Sequence, residues 1–346
     1  MATLFEPYTL KGLTVKNRIM MSPMCQYSVW AEDGAPNEWH YVHYISRAVG
    51  GVGLIMMEMT DVVPDGRITV RDLGLWDDRQ IPAFRRIIDQ VHSYGAKIGI
   101  QIAHAGRKAE SPQLSPEAPS AIPFSDHYRV PRELSRDDIR RLVDAFQAGA
   151  RRAIEAGVDV LELHGAHGYL IHQFMSPLSN RRQDEYGDPT RFGVEVIEAV
   201  RAVMPSSMPL IFRLSATEYH PEGYDFPQLM EMARVFLAHG VDMFDVSSGG
   251  NAPVAVKDWP GYQVRFASEL KARLNVPAIA VGRLEAPELA ESVVARGDAD
   301  LVAIARGLLR DPYWANRAAE TLGATVQVPK QYFRAFPRSF TQPEGS

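Results

Sequence analysis

The sequence predicts a (β/α)8 barrel, in which eight parallel strands form a closed barrel and the connecting helices surround it. Eight short apolar runs recur along the 346 residues, and a longer stretch with helical periodicity follows each run. The runs are continuously apolar and do not alternate with polar residues. Continuous runs are typical of parallel strands buried on both faces, and repeated strand-then-helix units are typical of α/β folds. A doubly wound parallel sheet with additional elements is the alternative fold.

The predicted strands occupy residues 18–21, 52–59, 97–102, 158–163, 210–214, 243–246, 278–281 and 301–304. The predicted helices that follow them occupy residues 38–49, 78–94, 135–156, 191–203, 226–239, 263–274, 286–296 and 312–322. Ser135, with Asp138 three residues later, is typical of a capping box at the start of the third helix. Glycines that favour a helix end follow four of the helices, at Gly95, Gly157, Gly240 and Gly297. No linker divides these units, so we predict one domain over residues 1–346.

Composition restricts the classes of partner. The chain has 37 Lys and Arg against 42 Asp and Glu and contains no basic run, so we expect neither a nucleic acid nor an anionic membrane as partner. The first residues do not resemble a secretory signal, and no stretch approaches the roughly 18 apolar residues of a membrane-spanning helix. We therefore expect a cytoplasmic protein that binds small molecules. The single cysteine, Cys25, excludes an intrachain disulfide and a metal site built from several cysteines.

Polar residues follow the predicted strands at the ends where barrel enzymes place their active sites. In chain order these ends carry the segment SPMCQY, Thr60, Gln101, His104, His164, Arg213, the segment SSGG, Gly282, Arg283 and Arg306. Buried polar groups destabilise a fold unless they have partners, so this ring predicts a polar ligand at the mouth of the barrel. After strands seven and eight, the segments VGRL and IARGLL each place an arginine beside small residues. This pattern predicts a phosphate site and therefore a phosphorylated cofactor.

Three motifs stand after strands one, three and four, namely SPMCQY, QIAHAGRK and ELHGAHGYLIHQFMSPLSNRRQDEYG. In this order, and over nearly the whole chain, they resemble the old yellow enzyme family. Cys25 in the first motif resembles the bacterial thermophilic-like branch of FMN-dependent ene-reductases. The resemblance implies a (β/α)8 barrel that binds FMN noncovalently and takes hydride from NADPH or NADH. It also implies reduction of the activated C=C bond of α,β-unsaturated carbonyl or nitro compounds.

The resemblance implies roles at the substrate. His164 and His167 would donate hydrogen bonds to the carbonyl or nitro oxygen of the substrate, where negative charge grows as hydride passes from flavin N5 to the β-carbon. Tyr169 would protonate the α-carbon from the opposite face. A phenol, with an ordinary pKa of about 10, is a weak acid that suffices for an enolate-like carbon. Tyr27 would face the substrate, and Lys108 would approach it from the loop after strand three.

The resemblance also implies how FMN is held. Arg213 would lie near flavin N1 and C2=O and stabilise negative charge on the reduced ring, and a structural salt bridge is its alternative role. Gln101 would hydrogen-bond the pyrimidine edge. Thr60 stands where relatives usually have Ala or Gly, which implies a hydroxyl near the flavin, and Ala305 replaces a common glycine before the phosphate arginine. The implied contacts are Ser22, Pro23, Met24, Cys25, Thr60, Gln101, Arg213, Gly282, Arg283, Ala305 and Arg306.

Other interpretations of the histidines remain open. Spaced three residues apart, His164 and His167 also suit a metal-dependent barrel hydrolase, although a zinc site usually needs a third protein ligand. The nearby acids Glu162 and Asp184 lack the usual spacing for that third ligand. The two histidines are also compatible with a structural role, or with a flavin-binding protein that has no turnover. The sequence contains no dinucleotide fingerprint that would decide between NADPH and NADH.

The C-terminal segment, residues 324–346, lies beyond the eighth predicted helix. Its stretch QVPKQYFRAFPRSF has four aromatic and three basic residues, a composition that favours docking over disorder. We predict that the segment docks at a subunit interface. In the branch that the chain resembles, this segment reaches a neighbouring subunit, which implies a homodimer or a homotetramer built from dimers. Arg334 is then the predicted contribution to the neighbour's substrate pocket, with Arg338 as the second candidate.

Overall fold

Eight parallel strands close a barrel in the computed structural model, which describes residues 3–337 and 340–342. Neighbouring strands pair in chain order, and the last strand pairs with the first, which closes the ring. The predicted strands lie within two residues of the observed bounds, so the (β/α)8 fold is confirmed. The strands are β1 (Ile19–Met21), β2 (Leu54–Asp61), β3 (Lys97–Ala103), β4 (Val160–Gly165), β5 (Leu210–Ser215), β6 (Met243–Ser247), β7 (Ala278–Val281) and β8 (Leu301–Ile304).

All eight predicted helices are present, and two short helices that were not predicted, α4 and α9, join them. The helices are α1 (Glu38–Val49), α2 (Ile81–Ser93), α3 (Arg136–Ala156), α4 (Leu170–Met175), α5 (Arg191–Arg201), α6 (Phe226–Ala238), α7 (Val264–Leu274), α8 (Pro287–Ala295), α9 (Arg306–Arg310) and α10 (Trp314–Thr321). The capping box of α3 is confirmed, because the Asp138 amide donates to Ser135 Oγ and the Ser135 amide donates to the Asp138 carboxylate. Among helices of the described residues, none is both long and apolar enough to span a bilayer.

The half of the barrel interior at the N-terminal ends of the strands is apolar. Alternate side chains of the strands meet there, and burying them out of water stabilises the closed sheet. A hairpin of Tyr8–Leu10 and Leu13–Val15, which the sequence analysis missed, inserts two residues into this cluster and closes the N-terminal end of the barrel. The cluster consists of Leu13, Val15, Met20, Leu54, Met56, Val160, Ile211, Met243, Ile279, Val281, Leu301 and Ala303.

Strand β2 contains one extra residue relative to its neighbour β3. Met57 pairs with Ile100 and Thr60 pairs with Ile102, so two residues of β2 stand opposite one residue of β3. Such a bulge re-aims the side chains on either side of it. As a result, the Glu58 side chain points away from the barrel interior. Its carboxylate accepts hydrogen bonds from Tyr44 Oη of α1 at 2.9 Å and from the Gln26 amide at 2.7 Å.

Candidate active site

A buried polar layer lies above the apolar half of the barrel. Gln101 of β3 donates from Nε2 to Glu162 Oε1 of β4 at 2.7 Å. Arg213 of β5 donates to Ser22 Oγ at 3.2 Å, and its Nε lies 3.0 Å from Asp245 Oδ2 of β6. Each of these five side chains is buried. The structure therefore brings together three residues that the sequence indicated as flavin contacts. It adds two acids, Glu162, which the sequence indicated only as a poor candidate metal ligand, and Asp245, which no motif indicated.

The two acids of this layer are held in an unusual electrostatic state. Burial raises the pKa of Asp245, while the neighbouring charge of Arg213 opposes the rise. Burial, followed by the charge of Asp245, raises the pKa of Glu162. Arg213 and Asp245 are within ion-pair distance, yet the Arg213 Nε–H does not point at the carboxylate, so no hydrogen bond joins them. Some carboxylate oxygens of Glu162 and Asp245 have no hydrogen-bond partner among the described residues. A bound group with N–H donors, or water, can supply these hydrogen bonds.

His164, His167 and Tyr169 converge where β4 ends. The ring centroid of His164 lies 5.2 Å from that of His167 and 4.9 Å from that of Tyr169. Burial lowers the pKa of both histidines well below the ordinary imidazole value, so both rings are neutral near pH 7. The Ala166 amide donates to His164 Nδ1 at 3.3 Å, which places the single ring proton of His164 on Nε2. His164 is therefore a neutral hydrogen-bond donor.

His167 occupies a constrained position in the turn after β4. Its φ is +58°, a left-handed conformation that is uncommon for a residue with a side chain and that concentrates at functional sites. Its amide donates to Ser215 Oγ at 3.1 Å, and its Nε2 lies 2.7 Å from Ser247 Oγ. The strands β5 and β6 thus fix both the backbone and the ring of His167.

Tyr169 packs beside Cys25 at the edge of the same site. Both contact a small apolar cluster made of Met59, Ile68, Ala103 and Ala105. Burial raises the pKa of Tyr169 well above its ordinary value, so the phenol keeps its proton. Burial and the acids around Cys25, Asp72 first, raise the pKa of the thiol. Both groups are therefore neutral near pH 7.

Thr60 does not take the position that the sequence analysis expected. It pairs with Ile102, whose side chain belongs to the outer core, and its hydroxyl donates to the Glu58 carbonyl at 2.9 Å. The extra residue in β2 instead turns Met59 toward Cys25 and Tyr169. The geometry therefore argues against a Thr60 hydroxyl beside the flavin, and Met59 is the side chain of this strand that reaches the site.

Lys108 and Tyr27 both border the site. Lys108 Nζ donates to the His167 carbonyl at 3.0 Å and to the Gly250 carbonyl at 3.2 Å, and it lies 5.0 Å from the centre of the Tyr169 ring. Burial lowers the pKa of Lys108 to about 8. Tyr27 is 43% exposed, has a φ of +51°, and lies beside Cys25, whose charge adds to burial in raising the pKa of its phenol.

A buried hydrogen-bond network supports the turn that carries the two histidines. Glu218 accepts hydrogen bonds at its two oxygens from Ser176 Oγ, the Tyr224 amide and Asn251 Nδ2, at 2.8–2.9 Å. His172 Nε2 lies 3.1 Å from Glu218 Oε1, and His172 Nδ1 accepts a hydrogen bond from the Gly168 amide at 3.0 Å. No sequence pattern indicates this network, because its members come from the segments after β4, β5 and β6.

The four predicted phosphate residues do lie together. Gly282, Arg283, Ala305 and Arg306 line one cavity of about 150 Å³ beside the ends of β7 and β8. Gln263, which the sequence indicated only as the start of a helix, and Tyr262, which no sequence pattern indicated, line the same cavity. Gly282 has a φ of +128°, and a Cβ at this position would lie 3.1 Å from the Tyr262 ring, so a larger residue would be strained there.

The C-terminal segment packs on its own subunit. Phe340 and Val328 join Ala319 of α10 and Ala324 in a small buried cluster, with Phe333 and Phe336 against it. Arg334 lies on the short 3-10 helix Phe333–Ala335, is exposed, and makes no hydrogen bond or ion pair with the described residues. Arg338 lies outside the described residues.

No group of three or more His, Cys, Asp or Glu side chains within residues 3–337 and 340–342 is arranged to hold a metal ion. Instead, His164 Nδ1 accepts a hydrogen bond from the Ala166 amide, and His167 Nε2 contacts Ser247 Oγ.

A larger cavity of about 580 Å³ lies between α4, α6 and the loop before α5, and no predicted site residue lines it.

Comparison with known proteins identifies the family. A family model described as the NADH:flavin oxidoreductase / NADH oxidase family matches residues 3–324. The chain belongs to this family. This membership confirms the resemblance to the old yellow enzymes and makes the protein an FMN-dependent oxidoreductase, and it gives no support to a metal-dependent hydrolase.

Similar proteins match over nearly the full length. A protein of a Geobacillus species, named NADPH dehydrogenase, is 50% identical over 339 residues that cover 96% of this chain and 98% of the relative. A protein of Listeria innocua with the same name is 48% identical over 340 residues, which cover 97% and 100% of the two chains. Among solved structures, morphinone reductase has a TM-score of 0.81 at 26% identity and covers 99% of this chain and 94% of its own.

The residues at the barrel mouth suit FMN. Arg213 and Gln101 place donors, and Glu162 an unpaired buried acceptor, within the polar layer. A flavin ring carries donors and acceptors along its pyrimidine edge, which such a layer can satisfy. The two arginines of the cavity beside β7 and β8 match a phosphate in charge and geometry.

Proposed function

We propose that the protein reduces the activated C=C bond of α,β-unsaturated carbonyl or nitro compounds with NADPH as hydride donor. One observation carries this proposal: the neutral donors His164 and His167 converge on a site that Tyr169 borders, at the mouth of an FMN-type barrel. Two hydrogen-bond donors can polarise the double bond through its carbonyl or nitro oxygen, and a protonated phenol can supply the proton that the reduction requires.

The two histidines bind the oxygen of the substrate in this proposal. His164 donates from Nε2, and the Nε2 edge of His167 approaches the same oxygen in place of its contact with Ser247. Because both rings are neutral, each contributes one N–H donor. Negative charge that develops on the oxygen during the reaction is stabilised by donors that are already oriented.

Tyr169 supplies the proton. When bound, reduced FMN supplies the hydride for the β-carbon. The phenol of Tyr169 then gives its proton to the α-carbon, so one hydride and one proton are added and the C=C bond becomes a C–C single bond. The high pKa of Tyr169 keeps the proton on the phenol until a carbanion-like carbon accepts it, and Lys108, 5.0 Å from the ring, lowers the cost of the resulting phenolate.

We assign the flavin contacts to residues at the carboxyl ends of the strands. Ser22, Pro23, Met24 and Cys25 follow β1 and would lie along the ring system, with Arg213 and Gln101 at its pyrimidine edge. Met59 replaces Thr60 as the contact from β2. Gly282, Arg283, Ala305 and Arg306 would hold the phosphate.

Relatives and neighbours support the choice of nucleotide and substrate class. The Geobacillus and Listeria relatives are named NADPH dehydrogenases, and a morphinone reductase structure is described as a complex with tetrahydroNAD. We infer that NADPH is the donor here, with NADH as the alternative. Reductive chemistry at a site of this kind fits an alkene made electron-poor by a carbonyl or nitro group.

The proposal extends to assembly. We infer that the chain is a single barrel domain and that the protein is a homodimer or a homotetramer built from dimers. Arg334, exposed on its short helix, would enter the substrate pocket of the neighbouring subunit. The exposed Tyr332, which contacts Tyr313 of the same subunit, supports an interface at this surface.

The experiment that tests the proposal begins with the purified protein and its absorption spectrum. A flavin band is expected, and bleaching by NADPH under anaerobic conditions followed by recovery of the band on addition of 2-cyclohexenone would support the reaction. Reduction by NADPH without reoxidation by enones or nitroalkenes would leave a flavin reductase and contradict the alkene specificity. Absence of bound FMN after reconstitution would contradict the site assignment altogether.

A further inference from the structure

The two arginines assigned to the phosphate share a carboxylate from another loop. Asp258 lies in the loop between β6 and α7, eight residues beyond the segment SSGG, and belongs to none of the motifs described above. Arg306 donates to Asp258 Oδ2 at 3.0 Å, and Arg283 donates to Asp258 Oδ1 at 3.2 Å. One carboxylate therefore bridges two guanidinium groups that come from the ends of β7 and β8.

This carboxylate and a phosphate would require the same donors. Arginine binds carboxylates and phosphates through the same N–H groups, usually in paired hydrogen bonds. A phosphate monoester carries a charge of about −1.5 to −2 at pH 7, against −1 for a carboxylate. The hydrogen bond to Arg306 and the charge of Arg283 lower the pKa of Asp258, so its charge is present at neutral pH. A phosphate placed between these arginines meets an anion that is already there.

The contact is also one that can exchange. The side chains of Asp258, Arg283 and Arg306 are 36%, 39% and 58% exposed, so water can replace each partner. Exposed ion pairs contribute little to stability, because water and salt screen the two charges. A phosphate can therefore displace the Asp258 carboxylate, but the need to displace it lowers the affinity for the phosphate.

We propose that Asp258 is an internal competitor for the phosphate of FMN, which lowers the affinity of the protein for its cofactor. This inference rests on the phosphate site of the proposed function. Asp258 offsets part of the positive charge of the two arginines and occupies their N–H donors, and FMN binds by displacing the carboxylate from at least one of them. Removing the charge of Asp258 then leaves both arginines available and strengthens the binding of phosphate-bearing flavin.

Binding of FMN and of riboflavin to the flavin-free protein tests the inference, because riboflavin has the same ring system without the phosphate. Quenching of flavin fluorescence gives both dissociation constants. We expect Asp258→Asn to tighten FMN binding by roughly three- to tenfold, the range that one or two exposed ion pairs supply, and to leave riboflavin binding unchanged. Slower release of FMN from diluted holoenzyme is expected as a second measure.

A matched control is Glu269→Gln, which removes the same charge from an exposed ion pair with Arg273 on α7. It is expected to change neither flavin. Unchanged or weaker FMN binding in Asp258→Asn would overturn the inference, the second result because Asp258 would then be positioning the arginines. Equal tightening of riboflavin, or equal tightening in Glu269→Gln, would overturn it as well. Failure of the unmodified protein to bind FMN would instead contradict the proposed function.

Discussion

Three residues of the candidate site adopt a left-handed backbone conformation although none of them is glycine. Tyr27, His167 and Arg283 have φ values of +51°, +58° and +52°. Each such residue costs on the order of 1–3 kcal/mol, so the surrounding structure has to hold it in place. For His167, Ser215 supplies part of that restraint through the backbone amide. Strain of this kind, found at residues chosen on chemical grounds, supports their assignment.

The proton donor is tested by Tyr169→Phe. We expect reduction of the enzyme by NADPH to proceed at an unchanged rate, because that step needs no phenol. Reoxidation by an enone should slow by roughly 100-fold or more, the contribution typical of a positioned general acid. Stopped-flow measurement of the two half-reactions separates the effects. An unchanged reoxidation rate would remove Tyr169 from this role.

The oxygen-binding pair is tested with phenol, whose phenolate imitates the developing charge on the substrate. His164→Ala and His167→Ala should each weaken phenol binding by about 1–3 kcal/mol, the cost of a buried hydrogen bond to a charged group. The long-wavelength absorption band of the flavin–phenolate complex reports binding directly. Full affinity in both variants would place the substrate oxygen elsewhere.

The correction at β2 predicts different effects for two adjacent residues. Met59→Ala should widen the pocket beside Cys25 and raise kcat/KM for bulky cyclic enones, while lowering stability by about 2–5 kcal/mol because Met59 is buried. Thr60→Val is the matched control, since the Thr60 hydroxyl bonds to the Glu58 carbonyl. Steady-state kinetics with a small and a bulky enone distinguish the two. A change of the flavin spectrum in Thr60→Val but not in Met59→Ala would instead support a Thr60 hydroxyl beside the flavin.

At the scale of elements, strand positions were accessible from the sequence and some side-chain directions were not. The continuous apolar runs located all eight strands, and the polar residues at their ends located His164, Arg213 and Arg306. The extra residue in β2 has no sequence signal, because a bulge depends on how the strand pairs with its neighbour. Motif position alone therefore indicated Thr60, whereas pairing with β3 shows that Met59 faces the site.

The other site residues that the sequence did not indicate lie in short helices and in loops between the main elements. Helix α4 is only six residues long, too short for a clear periodic pattern. Its His172, together with Glu218 from the loop after β5, forms contacts that only the closed barrel brings together. Asp258 belongs to the same class, since nothing in the sequence near it indicates arginines at the ends of β7 and β8.

The network behind the histidine turn gives a prediction at this scale. Glu218→Gln replaces an acceptor oxygen with a donor that faces Ser176, Tyr224 or Asn251, so the turn that carries His167 should lose its fixed position. We expect kcat and phenol affinity to fall about tenfold or more, with FMN still bound. Glu218→Asp should recover part of both, and Glu198→Gln, in an exposed contact with His239, is the control. Loss of FMN together with activity would indicate general unfolding instead.

At the scale of the whole molecule, the proposed assembly assigns two roles to the C-terminal segment, one at the subunit interface and one in the substrate pocket of the neighbour, and two variants separate them. Truncation after Pro329 removes both Arg334 and the Phe340 packing, so the oligomer should dissociate and the KM for substrate should rise. Arg334→Ala keeps the packing cluster, and we expect it to raise the KM while the mass of the oligomer stays constant. Light scattering and steady-state kinetics measure the two effects. Arg296→Ala, an exposed arginine at the end of α8, is the control.

Unchanged kinetics in Arg334→Ala would show that the arginine does not reach a neighbouring pocket. Unchanged mass after truncation would show that the segment is not part of the interface. Either result leaves the barrel and its flavin site intact, because the cluster that holds the segment lies beside α10, outside the barrel interior.

The hairpin at the N-terminal end of the barrel has a consequence for the order of events in catalysis. Leu13 and Val15, with the apolar layers above them, fill that end, so molecules reach the flavin only from the other end. In the proposed function, the nicotinamide ring and the alkene would share one entrance and one stacking surface, and they could not occupy it together. Each turnover would therefore consist of two half-reactions, and the oxidised nucleotide would leave before the alkene binds. Such a scheme gives ping-pong kinetics, with parallel lines in double-reciprocal plots and mutual inhibition when either reactant is in large excess.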